Sequence, residues 1–253
     1  VVILRVWIPR APNSDFEDVL RGALDDRVDL LVEEERPDPA GYDVMVSGRP
    51  RAEDLDASPA LRFLVIPWAG LPATTRDLAR DRPHLAVHNI HHNAPATAEM
   101  AVGLLIAAAR SIVPADRALR QGDWRIRYGT DTGMRLVGRT ALVLGHGAIG
   151  HRVAHALVAL HMRVIAVCRH ATQGDPADAV EVYGPDAIDR QLPEADAVIA
   201  CLPSTERTQG IGVARRLGLL PQGALFVSGG RADGVVEEAL YDALTAGLRA
   251  AAG

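Results

Sequence analysis

Residues 138–169 read GRTALVLGHGAIGHRVAHALVALHMRVIAVCR, and their order of strand, glycine loop, helix and strand decides how the rest of the chain is read. Residues 140–144 are a short apolar run rich in β-formers, ended by Gly145, His146, Gly147, Ala148, Ile149 and Gly150. Val153, Leu157 and Leu160 then recur at helical spacing before a second apolar run at 164–167. Each glycine answers a physical need: Gly145 the tight turn, Gly147 the close approach of a pyrophosphate to backbone, Gly150 the packing of helix on strand. A helix that starts at the anion supplies free N–H groups and the positive end of its dipole, so no side-chain cation is required. A strand before, a helix after and a second strand about 20 residues on make this a dinucleotide-binding βαβ unit.

The end of the second strand selects between cofactors. An Asp or Glu there accepts hydrogen bonds from the adenosine ribose and repels a 2′-phosphate. This chain instead has Cys168, Arg169 and His170. The repelling carboxylate is absent and a guanidinium stands ready for a phosphate, so NADP is expected in preference to NAD. The alternative at Arg169 is a side chain that points to solvent or pairs with Asp175.

Composition narrows the classes further. With 253 residues, 48% of them hydrophobic, the chain can fill one large or two medium cores. A net charge of −5 and a pI near 6.0 provide no basic field for nucleic acid or an anionic membrane, and no apolar run approaches a bilayer span. Residues 1–8 are apolar but carry Arg5 and read as a first strand rather than a signal peptide. Two cysteines, Cys168 and Cys201, make neither a disulfide framework nor a metal cluster, which suits a reducing cytoplasm. His88, His91 and His92 lie close together without carboxylate or cysteine partners at ligand spacing, so they read as loop residues and no metal is expected. All 27 basic residues are arginine. The lack of lysine excludes Schiff-base chemistry, a P-loop, and nicotinamide enzymes that lower a tyrosine pKa with lysine.

Upstream, residues 1–93 alternate apolar runs at 2–7, 30–32, 43–46, 61–66 and 85–88 with helical segments near 14–24 and 73–80, the pattern of a parallel sheet covered by helices. Residues 67–72, PWAGLP, follow a strand's carboxyl end, where open α/β sheets bind ligands; composition alone equally suits a turn stiffened by two prolines. Residues 96–120 read as one long helix with Met100, Leu104, Leu105 and Ala108 on one stripe and the domain joint at its start. Trp124, in the irregular segment that follows, reads as packing within or between subunits. Beyond the second strand come a polar stretch, a helix near 185–192, strands at 195–200 and 224–227, and helices near 212–217 and 235–248. The sheet is then still being built when the chain stops.

Five stretches in order, LRFLVIPWAGLP (61–72), TAEMAVGLLIAAAR (97–110), LVGRTALVLGHGAIG (136–150), ADAVIACLPSTERTQGI (195–211) and LPQGALFVSGGRADGVVEEALYDALTAGL (220–248), resemble the D-isomer-specific 2-hydroxyacid dehydrogenases. The resemblance covers essentially the whole chain. It implies a doubly wound Rossmann cofactor domain, residues 94–253, and a flavodoxin-like α/β substrate domain, residues 1–93. It also implies hydride transfer between nicotinamide and a small 2-oxo or 2-hydroxy acid in a homodimer. Arg231 matches the catalytic arginine, whose guanidinium can hold the substrate carboxylate or 2-oxygen. Ala69, Gly70 and Leu71 match the loop whose N–H groups receive the carboxylate. Leu202, Pro203 and Thr208 fall in the run bordering the cofactor, and Ser228, Gly229 and Gly230 lie beside the nicotinamide. Ser228 stands where asparagine is usual and Ala232 where glycine is, which alters local geometry but no charge. The family's proton donor is a histidine paired with a carboxylate, both beyond the region matching residue 248, and no histidine here follows His170. Together with a first residue that is valine, this implies that both domains are incomplete and that the last strands of the cofactor sheet are missing. A non-catalytic nucleotide-sensing or corepressor protein on the same scaffold is the alternative; Arg231 argues against it. A Rossmann-like methyltransferase is disfavoured by the match over residues 1–93.

Overall fold

The computed structural model describes residues 3–10, 13–128, 133–171, 179–203, 205, 208, 214–229, 237–245 and 249–252. The chain divides into two compact units, Val1–Asn93 and Ala94–Gly253.

Unit 1 contains strands β1 (Leu4–Ile8), β2 (Val28–Val32), β3 (Val44–Val46), β4 (Phe63–Ile66) and β5 (Ala86–Asn89) with helices α1 (Ser14–Ala23), α2 (Ala52–Ala57) and α3 (Ala73–Arg80). Every strand pair is parallel, in the order β2-β1-β3-β4-β5, the flavodoxin-like winding. Its core is Trp7, Tyr42, Met45, Leu55, Leu64 and Ile66, with the Trp7 and Tyr42 rings 4.9 Å apart. Asn13 caps α1, accepting a 2.8 Å bond from the Phe16 N–H. Helix α2, AEDLDA, is one short segment that apolar periodicity did not disclose.

Unit 2 begins with α4 (Ala94–Ala109) and α5 (Ile112–Arg120), and continues through β6 (Thr140–Leu144), α6 (Ala148–Ala159), β7 (Arg163–Val167), β8 (Val180–Tyr183), α7 (Ile188–Gln191), β9 (Ala197–Ala200), α8 (Ala214–Leu217), β10 (Leu225–Ser228), α9 (Glu237–Thr245) and β11 (Arg249–Ala252). The sheet order is β11-β10-β9-β6-β7-β8, all parallel. Counted from β6 this is the doubly wound order 3-2-1-4-5-6. Both faces are buried, as a parallel sheet requires. Ala141, Val143, Val164, Ile199 and Val227 face Leu105, Val153 and Leu157, while Leu142, Leu144, Ile165, Val198 and Phe226 face Ile188, Leu192, Leu217 and Ala239.

Three expectations are corrected. The helix expected over 96–120 is two helices bent by 65°, with Ser111 at φ 52 between them. Pro114 is the cause: in a continuous helix its ring would meet the carbonyl of Arg110, whereas in the first turn of α5 it is tolerated. The inward stripe of α4 is Ala94, Ala98, Ala101, Leu105 and Ala109, and Met100 is exposed. Small residues allow α4 to lie close on the sheet: a Cβ added at Gly229 would be 3.3 Å from that of Ala101. The polar stretch after β7 contains an edge strand, β8, paired with β7. Trp124 is 57% exposed in this chain. No single helix among the described residues is long and apolar enough to cross a membrane.

Candidate functional site

In unit 2 the chain winds outward from β6 to β8, then returns to wind the other way from β9 to β11, so the sheet switches direction between β6 and β9. Ligands of open α/β sheets bind at such a switch, outside the strands' carboxyl ends. A row of backbone bonds carries the sheet one residue past those ends. Cys168 N–H donates to Tyr183 (3.0 Å), Gly145 to Val167 (2.8 Å), Cys201 to Leu144 (2.8 Å) and Gly229 to Ala200 (2.9 Å). This row brings Cys168, Gly145, Cys201 and Gly229, far apart in sequence, to one edge.

The three glycines of the loop have different surroundings. Gly145 sits at φ +96, a conformation that favours glycine, and a Cβ there would be 2.8 Å from the Cys201 carbonyl oxygen. A Cβ at Gly150 would fall inside the Gly145 carbonyl, so α6 can start this near β6 only on a glycine. At Gly147, the N-cap of α6, a Cβ would meet nothing within 4 Å. The backbone there borders open space at a helix N-terminus, which is what an approaching phosphate needs. Ala148 and Ile149 open the helix, with Ile149 packed on the core, and His146 is half-buried between them and β6.

Around the loop, Arg169 and His170 are exposed beyond β7, and the half-buried Cys168 places its Sγ 3.4 Å from the His170 carbonyl. Asp175 lies outside the described residues, so its pairing with Arg169 is not described. Cys201 lies beneath the loop, and burial pushes its thiol up to about 12, which keeps it neutral and unreactive. Leu202 packs against the core while Pro203 is exposed. Thr208 ties the turn: its Oγ1 donates to the Pro203 carbonyl (2.5 Å) and accepts from the Thr205 N–H (2.9 Å). Ser228 ends β10 and Gly229 follows it. Gly230 and Arg231 lie outside the described residues.

In unit 1, Ala69, Gly70 and Leu71 follow β4, and their N–H groups donate no hydrogen bond among the described residues. Two contacts hold this loop that sequence reading did not single out. Asn89, at the end of β5, donates from Nδ2 to the Ala69 carbonyl (2.6 Å). The Trp68 indole lies so close on Gly48 that no Cβ fits there, and Thr75 Oγ1 donates to the Gly48 carbonyl (2.8 Å). An asparagine closing an apolar strand was a visible signal; Gly48 had none, because its partner is chosen by strand pairing. His88, His91 and His92 are exposed.

Residues 102–253 match the family model described as D-isomer specific 2-hydroxyacid dehydrogenase, NAD binding domain. The chain is 33% identical over 203 residues to a D-3-phosphoglycerate dehydrogenase of Mycobacterium tuberculosis, covering 80% of this chain and 38% of that protein. It is 29% identical over 203 residues to a hydroxypyruvate reductase of Thermotoga maritima, covering 80% and 64%. A crystal structure of a D-isomer specific 2-hydroxyacid dehydrogenase from Xanthobacter autotrophicus, in complex with NADPH, shares the fold with a TM-score of 0.80 at 22% identity, covering 99% of this chain and 81% of that one. The chain thus spans less than two thirds of the length of these curated relatives. With the doubly wound order and the glycine loop at its switch point, the match over residues 102–253 shows that this chain belongs to the D-isomer specific 2-hydroxyacid dehydrogenase family.

Proposed function

We propose that the protein is an NADP(H)-preferring oxidoreductase that interconverts a small 2-oxo acid and its D-2-hydroxy acid. The observation that carries this reading is the open backbone at Gly147, between a positive-φ Gly145 and a Gly150 that admits no side chain. That cradle fits a pyrophosphate, held by N–H groups at the start of α6. Leu202, Pro203 and Thr208 would border the cofactor, and Ser228, Gly229 and Gly230 its nicotinamide end. When bound, the nicotinamide supplies or accepts the hydride at the substrate's C2.

The remaining work falls to side chains and backbone of this chain. Arg231 would hold the substrate by directed hydrogen bonds and stabilise negative charge on its 2-oxygen. The N–H groups of Ala69, Gly70 and Leu71 would receive the carboxylate, with Asn89 and Trp68 fixing the loop. Arg169, exposed beyond β7 where an acidic residue would repel a 2′-phosphate, supports NADP(H) over NAD(H). The large apolar side chains exposed on α5 and just after it, Ile112, Val113, Leu119, Trp124 and Tyr128, support a homodimer. Two free cysteines suit a reducing cytoplasm. The test is turnover of glyoxylate, hydroxypyruvate, phosphohydroxypyruvate and pyruvate with NADPH and NADH. Nucleotide binding without reduction of any 2-oxo acid favours the sensing alternative, and failure to bind either nucleotide refutes the site.

A further inference from the structure

We infer that Asn89 is a positioning residue of the proposed reaction: by holding the Ala69 carbonyl it sets the direction in which the Gly70 N–H is offered to the substrate carboxylate. The inference rests on the reading of residues 69–71 as the loop that receives that group. In the sheet β4 lies between β3 and β5, so the loop that follows β4 borders the carboxyl ends of both neighbours. It is held to each of them. On the β3 side the Trp68 indole lies on Gly48, whose carbonyl accepts from Thr75 Oγ1 at 2.8 Å. On the β5 side Asn89, in register with Ile66 at the end of β4, donates from Nδ2 to the Ala69 carbonyl at 2.6 Å. A carbonyl only accepts, so the amide nitrogen of Asn89 is the atom that must face it.

Peptide planarity carries the effect one residue on. The Ala69 carbonyl and the Gly70 N–H belong to one trans peptide and point in opposite directions. With the oxygen tied to Asn89, the Gly70 N–H is aimed away from β5. A tie is needed here because glycine accepts both signs of φ, which lets the 69–70 peptide turn over at little cost. Among the described residues the N–H groups of Ala69, Gly70 and Leu71 donate no hydrogen bond, so none of these donors selects the orientation itself. Asparagine is disfavoured in strands, and the bond to Ala69 is what its placement at the end of β5 provides. Its side chain is exposed and lies outside the core of Trp7, Tyr42, Leu64 and Ile66, so substitution leaves the packing of unit 1 in place.

The test is steady-state kinetics of Asn89→Ala and Asn89→Asp beside the parent protein, with whichever of glyoxylate, hydroxypyruvate, phosphohydroxypyruvate and pyruvate the parent reduces fastest. Expected for Asn89→Ala is a KM for the 2-oxo acid raised about tenfold, with kcat changed less and the KM for the nicotinamide cofactor within about twofold, because bonds to the carboxylate act in ground and transition states alike. Partial unfolding would instead lower kcat and leave KM in place. In Asn89→Asp the ionised carboxylate has no proton to donate and repels that of the substrate, so at about pH 8 its deficit relative to the parent should exceed that of Asn89→Ala. The protonated form can donate, and the carbonyl oxygen favours it, so the Asn89→Asp deficit should narrow at about pH 5.5 while that of Asn89→Ala stays. A KM for the 2-oxo acid within about twofold of the parent in Asn89→Ala, a loss confined to kcat, or an Asn89→Asp deficit that does not narrow overturns this inference alone. A parent that reduces none of the four acids overturns the reading of the loop, and the inference with it.

Discussion

Alanine placed at Gly147 and at Gly150, one at a time, separates folding from nucleotide binding within a single loop. At Gly150 the added Cβ meets the Gly145 carbonyl, a backbone group that cannot swing aside. Overpacking of this kind costs about 1–3 kcal/mol. The rigid obstacle places it at the upper end, and the better helix propensity of alanine returns at most about 1 kcal/mol. A net loss of about 2 kcal/mol lowers Tm by about 4–8 °C in a unit of this size. At Gly147 the backbone is extended, φ −94 and ψ −157, and a Cβ enters open space. Reduced freedom of the unfolded chain adds about 0.4–1 kcal/mol. Alanine is the poorer N-cap by about 0.5 kcal/mol. The two offset, so Tm should move by less than about 2 °C. That same Cβ occupies the space a pyrophosphate would enter, so NADPH affinity should fall at least tenfold, about 1.4 kcal/mol. Differential scanning fluorimetry and NADPH fluorescence titration on the two variants give both quantities. A Gly147→Ala protein that binds NADPH within twofold of the parent refutes the phosphate site. A Gly150→Ala protein of unchanged Tm refutes the close packing of α6 on β6.

Arg231→Ala should lower kcat/KM for the 2-oxo acid by orders of magnitude with nucleotide affinity nearly intact, and Arg231→Lys should be almost as poor; activity within about threefold of the parent refutes the assignment. Arg169→Ala should raise KM for NADPH and leave that for NADH unchanged, and a parent protein that favours NADH tenfold in kcat/KM, about 1.4 kcal/mol, sinks the cofactor reading. For Cys201, burial raises the folded value from the ordinary 9.0 to about 12, so its contribution to stability is fully present below about 9 and is lost as pH rises toward about 12. Denaturant midpoints across that window should fall less steeply in Cys201→Ala. In the native protein a thiol reagent should react faster with Cys168 than with Cys201 at neutral pH, because burial raises the Cys201 thiol, and equal rates at the two would contradict that shift.

The glycine loop was legible in the sequence because its constraints are local. A turn at positive φ and a helix starting against a strand each demand glycine at one position, and the flanking β6 and β7 runs are apolar without interruption because both sheet faces are covered. The break between α4 and α5 was also written locally, in Pro114, although unbroken apolar periodicity concealed it. Other features had no local cause. Arg249–Ala252 reads RAAA, with no β-branched or aromatic residue, and is a strand only because β10 offers its edge. The order β11-β10-β9-β6-β7-β8, which makes the end of β6 a ligand-binding edge, depends on which strands pair across gaps of many residues. The same pairing laid Trp68 over Gly48 and brought Asn89 to the Ala69 carbonyl. Sequence by itself determined the residue types at the loop and the alternation that demands a parallel sheet. Tertiary structure alone decided which strand ends stand side by side, because non-local pairing is selected by the burial of whole faces, and no short stretch of chain encodes it.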